Sequence, residues 1–450
     1  MGDGSGARTA RGLSYAPETA GGLVDTRLVR GDLPEDRQPR ALNSQFVMES
    51  PSYAAVRGSI ASRLPQLVTI RRDLHRHPEV SWAEERTSAV IAERLTEAGL
   101  APQRLTRTGV VADIGAADPD FRVVLRADID ALPVRERTGL DWASVSPGVA
   151  HACGHDVHAT ALLGAGFALA DQVEVLRANG VAVRLAFQPA EESIPGGAEL
   201  VIDEGFLKEV DAAYALHCDP SLDVGKVGLR EGPVTAAADR IDVKLTGRGG
   251  HTSRPQLTED LTFALAKIIT EVPALLSRRV DPRAGALIVW GQVHAGAAGN
   301  VIPSSGEASG TLRVLDAEVW ASIGPLVKEL VEAVARPYGV GVEVVYTPGV
   351  PPVVNSAEGI ADLRTGALQT GLDPVATSQS MGGEDFAWFL HHAPGAMARL
   401  GTRAPGGTTY DLHQGDLIVD ERAIGAGAML LAGTALAAFA RRSPAHVATS

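Results

Sequence analysis

One short segment gathers thiol and imidazole side chains at a spacing that suits a metal ion. In His151-Ala-Cys153-Gly-His155-Asp-Val-His158, Cys153 and His155 lie two residues apart on a glycine-containing loop, where both can face one ion. Thiolate and imidazole are ligands that zinc and other borderline transition metals prefer. For this segment alone, a buried cysteine beside a helix-capping histidine remains the alternative. His158 is expected to pack or support rather than to bind.

A pair of adjacent glutamates, Glu191 and Glu192, follows a predicted strand and a proline. Adjacent carboxylates point in different directions, so one can hold a metal ion while the other stays free to take a proton from water activated there. A solvated acidic loop would give the same pattern, so the pair alone is a weak signal. It gains weight because its strand should neighbour the segment that carries Cys153.

Two further histidines complete a candidate ligand set. His217 ends another predicted strand and His413 lies in the loop 411–414, although either could be a histidine satisfied by local contacts. With one shared thiolate, the set would hold two ions about 3.5–4 Å apart, the usual spacing of two-metal sites. Asp128, at the end of a third strand, is expected to orient a ligand histidine through its other ring nitrogen. The candidate ligands are Cys153, His155, Glu192, His217 and His413.

A sheet must position these residues, because most of them follow a stretch that is typical of a β-strand. Residues 121–126, 181–187 and 212–217 are strand-like, and stretches of helical periodicity separate them. Strands that alternate with helices predict an α/β fold, with a mostly parallel sheet covered by helices on both faces. In such sheets, functional sites form at the carboxyl ends of the strands.

The middle of the chain follows a different pattern. Strand, helix, strand, strand, helix and strand succeed one another, which predicts a ferredoxin-like βαββαβ unit inserted over residues 232–347. The catalytic domain is then formed by 48–231 and 348–450. Residues 1–47 lack apolar periodicity and are predicted to be a disordered or poorly packed extension. The segment 423–440 is rich in alanine and glycine, which predicts a buried terminal helix rather than a membrane span.

Composition narrows the classes of function. The 450 residues carry 41 basic and 54 acidic side chains, and the net charge of −13 argues against a general binder of nucleic acid or of anionic membranes. Only two cysteines are present, so a disulfide scaffold is excluded and a reducing, cytoplasmic location fits. Cys218 follows His217 at a strand end, so its side chain should point to the opposite face and pack. A disulfide between Cys218 and Cys153 is the rival interpretation.

A series of motifs occurs in order along residues 68–437. They are Leu74-His-Arg-His-Pro-Glu79, Arg126-Ala-Asp-Ile-Asp-Ala-Leu-Pro133, His151-Ala-Cys-Gly-His-Asp156, Gln188-Pro-Ala-Glu-Glu192, Gly249-Gly-His251, Gly299-Asn-Val-Ile-Pro303, Gly310-Thr-Leu-Arg313 and Gly382-Gly-Glu-Asp-Phe386. With these motifs the chain resembles the co-catalytic metal amidohydrolases, a family that includes hippurate hydrolase, N-acyl-amino-acid aminoacylases and plant indoleacetyl-amino-acid hydrolases. The resemblance covers most of the chain beyond the predicted extension.

The resemblance implies a dimetal catalytic domain that binds two divalent ions, zinc or manganese. Cys153 matches the family's bridging ligand. His155 and His217 would complete one ion site, and Glu192 and His413 the other. Glu191 and Asp128 would then be catalytic residues, with Glu191 matching the general base.

The resemblance also implies that the inserted unit is a lid through which two copies form a homodimer. His251 and Asn300 match residues that close over the substrate, often from the partner subunit, and His251 would help to stabilise the oxyanion. Arg313 matches a residue that holds the carboxylate of the amino-acid product. The expected substrate is a small N-acyl or N-aroyl amino acid.

Three other classes of function share some of these features. A dipeptidase or carboxypeptidase on the same scaffold is the main alternative, since it differs only in whether the acyl side carries an amino group. A cysteine hydrolase with Cys153 as nucleophile and His155 as base is disfavoured, because two residues on one loop give poor geometry for that pair. The presence of Glu191 argues against a non-catalytic peptide-binding protein.

Overall fold

The first half of the chain forms the strands and helices that lead to the predicted ligands. The structure is a computed structural model that describes residues 51–442, and the predicted extension 1–47 lies outside the described residues. The elements are α1 (Pro51–Arg76), α2 (Glu85–Glu97), β1 (Gln103–Arg104), β2 (Val110–Gly115), β3 (Phe121–Asp128), α3 (His155–Ala170), α4 (Val173–Ala178), β4 (Val181–Gln188), α5 (Gly197–Asp203), β5 (Ala212–Asp223) and β6 (Lys226–Leu229).

The second half contains a further group of strands and then returns to the first. The middle elements are β7 (Gly232–Pro233), β8 (Ala237–Thr246), β9 (Gly250–His251), α6 (Leu261–Arg279), β10 (Leu287–Ala295), β11 (Val301–Ile302), β12 (Ser305–Val314), α7 (Ala317–Ala335) and β13 (Gly341–Val350). The last elements are β14 (Val354–Asn355), α8 (Ala357–Thr370), β15 (Asp373–Ala376), α9 (Ala387–Leu390), β16 (Gly395–Arg403) and α10 (Arg422–Arg441).

The larger sheet has eight strands in the order β1-β2-β4-β3-β5-β16-β6-β15. Its four central strands, β4, β3, β5 and β16, run parallel to one another. Every residue of β3 is buried, as expected for a central strand with helices on both faces. Val123 and Leu125 pack into the core of α1, α3 and α10, whereas Val124 packs into that of α5 and α9. The predicted α/β class with a mostly parallel sheet is confirmed.

A separate antiparallel sheet has the order β10-β12-β8-β13. Buried and more exposed residues alternate along β8, because α6 and α7 pack against one face of this sheet. The order of strands and helices is that of the predicted ferredoxin-like βαββαβ unit, which is thereby confirmed. We call residues 237–350 the inserted unit; the domain boundaries stay predictions.

Helix α10 is the one helix among residues 51–442 that is long and apolar enough to cross a membrane, with a mean hydropathy of 1.8. However, 89% of that apolar stretch is buried inside the protein. It packs mainly against α3 and α8. The prediction of a buried terminal helix is confirmed.

Candidate metal centre

Loops that follow β3 and β4, together with β5 itself, bring four of the predicted ligands together, as parallel neighbouring strands require. Cys153 lies in the loop before α3, and His155 is the first residue of that helix. Gly154 separates them with a φ of 86°, a conformation that residues with a Cβ rarely adopt. Glu192 follows β4, and His217 lies within β5.

The predicted ligands form two groups of three that share one thiol. The ligand atoms of Cys153, His155 and His217 lie within 4.8 Å of one another, and so do those of Cys153, Glu192 and His413. Cys153 Sγ is 3.5 Å from His217 Nε2, and His413 Nε2 is 3.2 Å from Glu192 Oε1. This arrangement suits two ions that share a thiolate.

Two of the histidines are oriented for metal binding by their other ring nitrogen. His217 Nδ1 lies 2.8 Å from the carbonyl oxygen of Cys218, so Nδ1 carries the proton and Nε2 keeps its lone pair. His155 Nδ1 lies 3.1 Å from Asp130 Oδ1, and its Nε2 is buried with no hydrogen-bond partner among the described residues. A buried nitrogen without a partner is costly, and a metal ion would remove that cost. The side chains therefore fit a two-metal site.

Two residues at the site adopt a left-handed backbone conformation that usually requires glycine. Ala190 has a φ of 51° and His413 a φ of 62°, and such strain persists only where the surroundings hold it. The amide of Ala190 donates a hydrogen bond to Glu84 Oε1 at 2.8 Å. The amide of His413 donates to the carbonyl oxygen of Ala152 at 2.7 Å. These bonds fix the two loops from which Glu191, Glu192 and His413 project.

Asp128 does not make the predicted hydrogen bond to a ligand histidine. Its Oδ1 lies 2.6 Å from His158 Nδ1 and 3.8 Å from His155 Nδ1. Asp130 orients the ligand His155 instead, and it also accepts a hydrogen bond from the amide of Glu192 at 3.0 Å. The reason is that His155 and His158 lie about one turn apart on α3, so each faces a different carboxylate.

The supporting role expected of His158 is confirmed. While its Nδ1 contacts Asp128, its Nε2 accepts a hydrogen bond from the amide of Cys218 at 2.8 Å, which ties α3 to β5. Cys218 itself is buried in the core with its Sγ 3.7 Å from the carbonyl oxygen of Gly154. Both cysteines are free thiols, so the packing interpretation of Cys218 holds and the disulfide with Cys153 is wrong for this structure.

A buried ionic network beside Glu191 was not predicted. Arg126 is completely buried, and its guanidinium donates hydrogen bonds to Gln188, Asp128 and Asp385. Carboxylate oxygens of Glu191, Glu384 and Asp385 lie within 4.8 Å of one another. Burial, and next the negative charge of Glu384, raise the pKa of Glu191 well above its ordinary value. The available signal was Arg126, a charged residue within the apolar run 123–127.

The three substrate-binding candidates lie on the inserted unit. His251 belongs to β9, which pairs with β11, and the amide of Thr252 donates to the carbonyl oxygen of Asn300 at 3.2 Å. His251 and Asn300 are exposed, and no hydrogen bond or ion pair within residues 51–442 joins their side chains to the predicted ligands. Arg313 is half-buried on β12, with Nη1 3.6 Å from the point that a Cβ on Gly383 would occupy.

Comparison of the sequence gives a family and several relatives. Residues 124–437 match the family described as Peptidase family M20/M25/M40. A Rhodococcus jostii protein named for glutamate–cysteine ligase is 48% identical over 363 residues, which are 80% of this chain and 45% of that protein. N-acetyl-L-cysteine deacetylase of Bacillus subtilis is 38% identical over 80% of this chain and 85% of its own. Thermostable carboxypeptidase 1 of Saccharolobus solfataricus is 35% identical over 81% of this chain and 93% of its own.

A solved structure of the same family is also similar to this chain. A dinuclear metal-binding peptidase of the M20 family from Bacillus subtilis is similar to this chain with a TM-score of 0.73 and 32% identity. The similarity covers 84% of this chain and 98% of that structure. It therefore extends over both sheets.

Proposed function

Because the chain belongs to peptidase family M20/M25/M40, and is thus a metal-dependent amidohydrolase with two divalent ions, we propose that it hydrolyses the amide bond of small N-acyl or N-aroyl amino acids. The observation that carries the proposal is the pair of ligand groups that share Cys153, with Glu191 beside them. We also propose a cytoplasmic location, which the two free thiols support.

Five side chains would hold the ions. Cys153, His155 and His217 form one set of ligands, and Cys153, Glu192 and His413 form the other. A thiolate with imidazoles suits zinc, and the carboxylate of Glu192 also suits manganese. When bound, the two ions supply Lewis acidity, which polarises an amide carbonyl and makes a water molecule more acidic.

Glu191 is the proposed general base. Its carboxylate makes no hydrogen bond to a described side chain, and its oxygens lie within 4.8 Å of ligand atoms of both His155 and Glu192. It takes a proton from the water that attacks the amide carbon, and then gives it to the leaving nitrogen. The hydrogen bond between Ala190 and Glu84 sets the direction of its loop.

Three residues of the inserted unit are proposed to bind the substrate: His251, Asn300 and Arg313. His251 Nδ1 accepts a hydrogen bond from the amide of Ser253 at 3.1 Å, so the proton is on Nε2. That N–H is a donor for the oxyanion that forms on the amide carbonyl. The Arg313 guanidinium has no hydrogen bond to a described residue and is free to hold the product-side carboxylate.

We further propose that the inserted unit forms a homodimer and that His251 acts across it. Edge strand β10 exposes Leu287, Val289 and Val293, whose exposed fractions are 47%, 51% and 47%. Exposed apolar residues on an edge strand favour pairing with another chain. His251 and Asn300 are exposed, and within residues 51–442 no hydrogen bond or ion pair joins their side chains to their own chain's ligand set, as expected if they serve the partner's site.

Replacing His251 by Ala should lower kcat by about 10²–10³-fold, the usual loss for one oxyanion donor, without changing metal content. Co-expression with a Glu191→Gln subunit should then restore activity. If half of the dimers are hybrids and each has one intact site, about one quarter of all sites become active. Native mass spectrometry would verify the hybrids. No recovery in verified hybrids would mean that His251 does not act across the dimer.

The proposed reaction is tested by removing and restoring the ions. Chelation followed by dialysis should abolish hydrolysis of N-acetyl-L-alanine, and reloading with zinc or manganese should restore it. The reason is that the ions supply the Lewis acidity that makes a water molecule acidic enough for Glu191 to deprotonate. Elemental analysis of each sample reports the ions bound. Activity that persists in protein free of metal would contradict the proposal.

A carboxypeptidase activity is the second candidate, and the 35% identity to the Saccharolobus solfataricus carboxypeptidase favours it. The two activities differ in the acyl side of the substrate. N-acetyl-L-alanine and L-alanyl-L-alanine separate them, because only the second carries a free amino group. A higher kcat/KM for the dipeptide would favour the peptidase.

A further inference from the structure

Four arginines are buried within residues 51–442, and one of them lacks an anionic partner. Arg71, Arg122 and Arg126 form ion pairs with Asp156 at 2.7 Å, Glu209 at 3.7 Å and Asp128 at 2.7 Å, respectively. Arg399 is only 9% exposed, yet its guanidinium has no hydrogen bond or ion pair to a described residue. Burying an unpaired cation costs several kcal/mol in general, roughly the cost of breaking a buried pair. The guanidinium of Arg399 is therefore available to bind an anion that comes from outside the chain.

Arg399 faces the candidate metal centre. On β16 it is the register partner of His217 on the adjacent parallel strand β5, so the two side chains lie on the same face of the sheet. After burial, the charge of Arg399 is the main cause that lowers the pKa of His217. The thiol of Cys153 is also among its electrostatic neighbours. The cation therefore lies beside the ligand set, where a bound substrate would reach it.

Two acidic groups interact electrostatically with Arg399, Glu384 and Asp219, and neither forms an ion pair with it. Asp219 Oδ1 accepts hydrogen bonds from the amide and the hydroxyl of Ser221. Glu384 is its principal charged neighbour, but Glu384 Oε1 lies 3.1 Å from Arg126 Nη2 and forms its ion pair there. The other oxygen of Glu384 is buried with no hydrogen-bond partner among the described residues. The ion pair of Glu384 with Arg126 thus leaves Arg399 without an anionic partner among the described residues.

Arg313 and Arg399 have different surroundings. Arg313 projects from the inserted unit to Gly383, and its charged neighbour is Asp239. Arg399 projects from the central sheet, and its charged neighbours are Glu384 and Asp219. The site therefore has two unpaired guanidinium groups on different elements, and each can bind a different carboxylate.

We propose that Arg399 binds a second carboxylate of the substrate, so that the substrate class is an N-acyl amino acid with two carboxylates. This inference rests on the proposed function, in which Arg313 holds the product-side carboxylate. The second carboxylate belongs to the acyl group or to the side chain of the amino acid. A guanidinium binds either one through the same pair of hydrogen bonds.

Matched substrate pairs that differ only in charge test the inference. N-succinyl-L-alanine is compared with N-succinamoyl-L-alanine, and N-acetyl-L-glutamate with N-acetyl-L-glutamine. For each pair, the ratio is kcat/KM of the charged substrate divided by kcat/KM of its neutral analogue. Arg399→Gln should lower this ratio for one of the two pairs by about 10–100-fold, the usual effect of a hydrogen bond to a charged group. Arg399→Lys should recover part of the loss. The pair that responds shows which side of the substrate carries the carboxylate.

Two controls separate charge recognition from a general defect. Arg122→Gln removes a buried arginine at the amino end of β3, far along the strand from the ligands, and should leave both ratios unchanged. Arg313→Gln should lower the ratio for N-acetyl-L-alanine over N-acetyl-L-alaninamide, which Arg399→Gln should not. Calorimetric binding of succinate and butyrate gives a readout that does not need turnover, and Arg399→Gln should reduce the preference for succinate.

The inference is overturned if Arg399→Gln changes neither second-carboxylate ratio, or if it lowers the alaninamide ratio, which would assign Arg399 to the first carboxylate. A wild-type enzyme that hydrolyses N-acetyl-L-alanine but prefers the neutral member of both pairs would also overturn it, with the proposed function intact. If no N-acyl amino acid is hydrolysed by metal-loaded protein, the proposed function fails and the inference with it.

Discussion

Replacing Glu191 by Gln is expected to lower kcat by about 10²–10⁴-fold, the usual contribution of a general base, while both ions stay bound. Glutamine has nearly the same shape but cannot take a proton. Glu191 is in neither of the two ligand groups that share Cys153, so its amide should not disturb ion binding. Steady-state kinetics with N-acetyl-L-alanine and elemental analysis of the same samples would measure both quantities.

The matched control is the same substitution one residue further on. Glu192→Gln removes a carboxylate that lies 3.2 Å from His413 Nε2, and should reduce metal content as well as activity. If Glu191→Gln keeps full activity and full metal content, Glu191 is not the base. If instead Glu191→Gln loses metal and Glu192→Gln does not, the two roles are reversed.

The strands that position the site were predictable because they are short apolar runs with clear ends. The predicted strand 181–187 is observed as Val181–Gln188, and 121–126 as Phe121–Asp128. The predicted strand 212–217 continues to Asp223. Its last residues, 219–223, mix polar residues with a proline and a leucine, so no apolar run marks them as strand. They are strand because their backbone pairs with β16.

Helix α3 shows how a tertiary contact overrides local periodicity. Helical periodicity runs through residues 157–176 of the sequence, but α3 ends at Ala170 and α4 begins at Val173. Asp171 at the break accepts hydrogen bonds from Arg63 and from Ser59 of α1, both at 2.8 Å. These partners are more than one hundred residues away in the chain, so the break leaves no local signal in the sequence.

The types of residue at the site were predictable, but their individual partners were not. Thiol, imidazole and carboxylate at successive strand ends indicate metal binding wherever the side chains point. By contrast, the choice of Asp130 over Asp128 as the partner of His155 depends on the rotation of α3 about its axis. Arg399 beside His217 depends on the register of β16 against β5, which joins residues 182 positions apart. Neither the rotation of α3 nor the register of β16 can be obtained from the order of residues in the sequence.

The second large effect is expected at the bridging thiol. Cys153→Ala should reduce the affinity for the ions by more than about 100-fold, because even residues that only orient a ligand contribute about 10–100-fold. Activity should fall with the ions. Both groups of candidate ligands lose a member at once, since Cys153 is the residue that they share. Metal titration of protein stripped of ions, with activity followed in parallel, would measure the change.

The chain supplies its own control, because Cys218 is also a buried free cysteine. Cys218→Ala makes the same chemical change, but Cys218 Sγ lies in the core against Gly154, 3.7 Å from its carbonyl oxygen. It should cost about 1–2 kcal/mol of folding stability through the small cavity and leave two ions bound. Two ions in Cys153→Ala would exclude a shared thiolate. Loss of ions in Cys218→Ala alone would mean that the fixed position of His217, whose Nδ1 bonds to the Cys218 carbonyl, depends on this packing.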